Sequence, residues 1–147
     1  MKSAKRKQTE TPTRCRYCGA PIVRRSADGI YRENSNRVEL YVCANYPACD
    51  AYVRIDPHSG RPVGTLANAR LRTLRRKAHT AFDQLYQSGY MTKNDAYSWL
   101  AASFCMPKAM AHIGYMDEYS CEQVIERSRQ ELNGWRARKR MKGGIPA

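Results

Sequence analysis

The sequence predicts an α+β fold: a short antiparallel β unit pinned by four cysteines, followed by a small helical domain of about four helices. Three observations lead there. Cys15 and Cys18 form one close pair and Cys43 and Cys49 another; the apolar pattern between them alternates with a period of two; beyond Gly64 that period changes to three or four. A chain of 147 residues with 42% hydrophobic content can build one cored domain or two small modules that need help.

Residues 1–13 form a Lys/Arg/Thr tail without apolar periodicity, expected to be disordered alone. Residues 14–56 carry short alternating runs, "APIVRR", "VELYVC" and "AYVRI", separated by the turn chemistry of "SADG" and "ENSNR". "DPHSGRPVG" gathers two prolines and two glycines within nine residues, which makes 57–64 a linker loop. Residues 65–133 are helical. Ala67, Leu71, Leu74, Ala78, Phe82 and Leu85 line one face of a first helix that ends at Gly89. Thr92 caps a second, with Asp95 three residues on and Ala96, Trp99 and Leu100 turned inward. Pro107 opens a short third helix, and Ser120 with Gln123 caps a fourth through "CEQVIERSRQEL". Residues 134–147 read as a loose basic tail.

The four cysteines carry the clearest chemistry. Cys15-x2-Cys18 and Cys43-x5-Cys49 offer two short thiol turns, and zinc favours tetrahedral thiolate coordination. Gly19 permits a tight turn after the first pair, and Pro47 stiffens the second. A closed four-thiolate site is structural, so one Zn2+ is expected to replace the core that about forty residues cannot build. Cys105 and Cys121 are solitary and flanked by apolar residues, as expected of small core residues.

"CRYCG" followed by "CANYPACDAYV" resembles the C-terminal zinc ribbons of bacterial type I DNA topoisomerases over residues 15 to about 54. That resemblance implies contacts to single-stranded DNA rather than chemistry. Over residues 13 to 132, "NYPACDAYV", "GTLANARLRTLRRKAHTAFDQLY", "MTKNDAYSWLA" and "AHIGYMDEYSCEQVI" resemble a family of small bacterial and phage zinc-finger-containing proteins of undetermined function.

The net charge is +13 and unevenly spread: residues 1–77 hold 17 Lys/Arg against 6 Asp/Glu, residues 78–133 hold 4 against 7, and residues 134–147 hold 5 against none. Such asymmetry attracts polyanions, of which nucleic acid is the commonest, although a solubilising surface with no partner has the same composition. No basic stretch pairs with a strongly apolar helical face, no run of eighteen apolar residues occurs, and "MKSAKRKQTETPTR" lacks the apolar stretch of a secretory signal. No membrane partner and a cytoplasmic location are therefore expected.

Tyrosines and arginines alternate through the β unit. Aromatic faces stack on unpaired bases and guanidinium groups track phosphates, so Arg16, Tyr17, Arg24, Arg25, Tyr46, Tyr52 and Arg54 are candidate single-strand contacts, with Arg72, Arg75, Arg76 and Lys77 extending the track onto the first helix. Tyrosines in a thin ribbon also serve simply to cover its core. His79 and Asp83 at helical spacing, with His112, could form a polar site, but no nucleophile, phosphate loop or acidic ligand set accompanies them. "WLAASFCMPKAMAHIG" loosely fits a helix-turn-helix with Cys105 at the usual glycine position. The expectation is a non-enzymatic zinc-ribbon protein that binds nucleic acid, DNA favoured over RNA, contacting single-stranded or distorted DNA through Tyr/Arg surfaces and the basic tails. The alternative is a phage or mobile-element module that docks on a host protein through Trp99, Phe104, Tyr115 and Trp135.

Overall fold

A computed structural model describes residues 10–143, so the basic segment 1–9 and residues 144–147 lie outside the described residues. The element order is β1 (Ile22–Ser26), β2 (Glu39–Cys43), β3 (Tyr52–Arg54), α1 (Ala69–Gln87), α2 (Lys93–Ser103), two 3-10 turns (Lys108–Met110 and Ile113–Tyr115) and α3 (Glu118–Gly143). The fold is α+β as expected, with three α-helices among the described residues rather than four. The chain divides into two compact units, one through Thr73 and one from Leu74.

The first unit is built on an antiparallel sheet of order β1-β2-β3. Its register places Arg25 opposite Leu40 and Leu40 opposite Arg54, and Val23 opposite Val42 and Val42 opposite Tyr52. Successive side chains on a strand point to opposite faces. One face therefore carries Val23, Arg25, Leu40, Val42, Tyr52 and Arg54, and the other carries Ile22, Arg24, Glu39, Tyr41, Cys43 and Val53. A small apolar cluster sits on each. Ala27, Leu40 and Val42 are fully buried on the first face beneath Ile30, Tyr31, Val38, Tyr46 and Tyr52. Cys15, Cys43, Ala51, Val53 and Leu66 are buried on the second.

Residues 57–64 form an ordered excursion rather than a loose connection. The Asp56 carboxylate accepts from the His58 amide at 3.0 Å, the Asp56 amide donates to the Arg61 carbonyl at 2.8 Å, and Ile55 bridges Pro62. Tyr52 and Ala67 then exchange both backbone hydrogen bonds, at 3.0 and 3.2 Å. The first turn of α1 belongs to this unit as well: Asn68 caps it through the Leu71 amide at 3.0 Å, and the Asp50 carboxylate accepts from the Ala69 amide at 3.2 Å.

In the second unit, Ala78, Phe82 and Leu85 of α1, Ala96, Leu100 and Ala101 of α2, and Cys121, Val124 and Leu132 of α3 are buried. Gly89 at φ +89 ends α1 in the left-handed region, where it carries no Cβ penalty. Thr92 caps α2 as its position predicts, its hydroxyl accepting from the Asp95 amide at 3.1 Å. Replacing Thr92 with Ala is expected to cost about 1 kcal/mol, read as a lower urea midpoint of the helical circular-dichroism signal.

Four local expectations need correction. The segment after Pro107 makes only two single 3-10 turns separated by extended His112, so no recognition helix exists and the helix-turn-helix pattern does not form, although Cys105 does turn left-handed at φ +51. That turn leaves Cys105 exposed, not in the core; Cys121 is buried as expected. Asp117, not Ser120, starts α3, its carboxylate accepting from the Ser120 amide at 2.8 Å. The supposed loose tail after residue 133 continues α3 to Gly143, because Arg, Ala, Lys and Met propagate a helix well and Trp135 packs on Tyr90.

Candidate metal centre and flanking surface

The tight turn after Cys15 is closed by the Gly19 amide donating to the Cys15 carbonyl and the Cys15 amide donating to the Ala20 carbonyl, both at 2.8 Å, with Gly19 at φ +78. In the second loop the Tyr46 amide reaches the Cys43 carbonyl at 3.0 Å and the Cys49 amide reaches the Asn45 carbonyl at 3.1 Å, around a cis Tyr46–Pro47 bond. These two turns aim four sulfurs at one point. All four Sγ atoms lie within 4.8 Å of one another, with Cys15–Cys49 at 3.6 Å and Cys18–Cys43 at 3.3 Å.

Those separations are far beyond the disulfide length of about 2.05 Å. They approach the edge of about 3.8 Å that a tetrahedron of sulfurs has around zinc at about 2.3 Å. Backbone amides support the sulfurs: Tyr17 N–H points to Cys15 Sγ and Asn45 N–H to Cys43 Sγ, each at 3.4 Å, while the Asn45 side-chain amide reaches Cys18 Sγ at 3.6 Å. The Ala20 amide and the Cys43 thiol lower the Cys18 thiol to about 7, whereas burial pushes Cys43 up to about 12. Four soft donors at these distances, with amides turned toward sulfur, fit a zinc ion held by four thiolates.

A family model for a zinc-finger-containing domain matches residues 11–131. The chain belongs to this zinc-finger-containing domain family. Comparison with curated proteins and with solved structures returns no match. In this zinc-finger-containing domain the four-cysteine cluster is the site of one structural zinc ion. No helix among the described residues is long and apolar enough to cross a membrane.

Around the centre, the basic and aromatic residues take distinct places. Tyr17 is exposed beside the first thiol turn, with the Arg16 guanidinium 5.4 Å from its ring. Arg25 and Arg54 are exposed on the Leu40 face, and one Arg25 Nη donates to the Asp28 carbonyl at 3.2 Å. Tyr46 and Tyr52 are half-buried over that same face. Arg24 lies on the opposite face, where two hydrogen bonds of 3.1 Å join it to Glu39.

Arg72 is built into the first unit. Its Nη1 donates to the carbonyls of Asp50 at 2.7 Å and Ala67 at 2.6 Å, its Nη2 lies 3.8 Å from the Asp50 carboxylate, and its guanidinium stacks 3.7 Å from the centre of the Tyr52 ring. Tyr31 meets the same ring edge-on at 6.3 Å. In the second unit, Arg75 donates to the Met116 carbonyl at 3.0 Å, while Arg76 and Lys77 are exposed on α1.

His79, Asp83 and His112 do not form a metal group: among the described residues the four cysteines are the only cluster of three or more candidate ligands. His112 lies among aromatic rings, 6.0 Å from Tyr97 and 5.5 Å from Tyr115. Tyr86, next to Asp83, is raised to about 12 by burial and by that carboxylate. Trp99, Phe104, Tyr115 and Trp135 are all half-buried, with Arg127 over Phe104 and Tyr90 stacked on Trp135. Sequence reasoning missed Asp50, which caps α1 and binds Arg72 at once. Its position directly after Cys49 was the available signal.

Proposed function

We propose that this zinc-finger-containing chain is a non-enzymatic nucleic-acid-binding protein whose ligand is single-stranded or distorted DNA, held on the Leu40 face of the ribbon. One observation supports the reading above the others. Strand parity puts Arg25 and Arg54 on one face with both side chains exposed, and Tyr31, Tyr46 and Tyr52 lie over the apolar residues of that face. Guanidinium groups follow phosphates and aromatic faces stack on unpaired bases, which is the combination single strands require. Tyr17 and Arg16 add an exposed ring and a cation beside the metal turn. The resemblance of residues 15–54 to topoisomerase ribbons agrees with this ligand.

Fluorescence anisotropy with a labelled oligodeoxythymidine, repeated at several salt concentrations, tests the proposal. The double variant Arg25→Gln, Arg54→Gln is expected to weaken binding about 10- to 100-fold. It should also reduce the slope of log affinity against log salt by about 1.4, the value for two single-strand phosphate contacts. Arg24→Gln, on the other face, should leave both unchanged. No binding at low salt, or equal losses from the two faces, overturns the assignment.

A further inference from the structure

The helical unit carries a second charged surface of different character. Cys121, Val124, Ser128 and Leu132 mark the buried side of α3. At about 100° per residue, Arg129, Asn133, Arg136 and Arg140 fall within an arc of about 60°, displaced from that buried side by about a quarter turn or more. All four are exposed. They extend about 17 Å along the helix axis, and no acidic residue follows Glu131 in the sequence. Among the described residues, none of the three arginines has an ion-pair partner.

The stripe is held in place by a bracket. Tyr90 stacks on Trp135 with ring centres 5.0 Å apart and planes 17° from parallel, and its hydroxyl donates to Glu131 at 2.6 Å. The Lys139 ammonium covers Trp135 at 5.0 Å. Tyr90 and Lys139 cover Trp135, so that ring is no stacking platform and the stripe itself offers cations and an amide. Arg136 and Arg140, four residues apart on one face, repel each other in the free chain by a few tenths of a kcal/mol. A polyanion relieves that repulsion.

We infer that this face of α3 binds the phosphate backbone of duplex nucleic acid, a ligand class and surface separate from the single-strand face of the ribbon. A straight rigid row of cations without aromatics contacts phosphates and reads no bases. A duplex presents about one negative charge per 1.7 Å of axis, roughly twice the linear density of one strand, and so rewards such a row most.

The test uses the full zinc-loaded chain and two probes, a blunt duplex of mixed sequence and oligodeoxythymidine. The triple variant Arg129→Gln, Arg136→Gln, Arg140→Gln should weaken duplex binding at least about 30-fold and reduce its salt slope by about 2.7, three contacts at about 0.9 each. Single-strand affinity should stay within about twofold. The corresponding triple Lys variant keeps the charge and should retain most duplex affinity, which separates phosphate contact from damage to the helix. Unchanged duplex binding in the Gln variant, or parallel loss on both probes, overturns the inference. Because the Arg25, Arg54 variant is read on the single strand alone, either proposal can fail without the other.

Discussion

Stripping the metal with a strong chelator is expected to erase the amide signals of β1, β2 and β3 from a heteronuclear NMR spectrum of the chain, and Cys43→Ser is expected to do the same. The cluster on the metal side of the sheet consists of Cys15, Cys43, Ala51, Val53 and Leu66, so two of its five buried residues are themselves ligands. The strands are only five, five and three residues long. Apolar burial on that scale cannot offset the entropy of ordering the unit. Structural zinc contributes about 10–16 kcal/mol in small finger domains, more than the whole stability of a typical one. Native mass spectrometry should count one zinc per chain. Because protons compete for the four thiolates, metal should be released as the pH falls, with the strand signals disappearing alongside it. Strands that stay ordered in metal-free protein contradict the account.

Arg72→Ala carries the second largest expected effect, a loss of about 3 kcal/mol from the ribbon unit, measured as a fall in the urea midpoint of the strand signals. Removing the guanidinium leaves the Asp50 and Ala67 carbonyls without their charged donor and uncovers one face of Tyr52. Hydrogen bonds to charged groups contribute about 1.5–3 kcal/mol each, and a partly desolvated cation–π contact about 1 kcal/mol, with incomplete additivity. Arg72→Lys should rescue little, since an ammonium cannot serve both carbonyls and lie flat on the ring. A residue acting only as a phosphate contact would lose DNA affinity and leave stability unchanged.

That contrast shows where sequence reading succeeds and where it stops. Arg72 and Arg76 look alike in the sequence, both cations beside an apolar helical stripe. One is committed to Asp50, Tyr52 and Ala67, and the other is exposed. Arg24 and Arg25 are neighbours, yet strand parity sends them to opposite faces, which becomes visible only once the pairing register is known. The third helix failed for the same kind of reason: Pro107 is a fair helix opener, but burial of Ala111 and Ile113 holds the segment in separate turns. The segment around Trp135 resembles a loose tail in the sequence because its partner, Tyr90, lies 45 positions away.

By itself the sequence determined the zinc ligands, the order of β unit and helices, the end of α1 at Gly89 and the Thr92 cap. Each shows in residue types within a few positions of one another, the ligands as two close cysteine pairs, where turn geometry, capping and periodicity act. The tertiary structure alone decided which arginines face solvent, which tyrosine is covered, where the first unit ends, and that α3 runs on past Trp135. Those outcomes depend on contacts between residues some fifteen to forty-five positions apart, and chain closure over such distances leaves no local pattern to read.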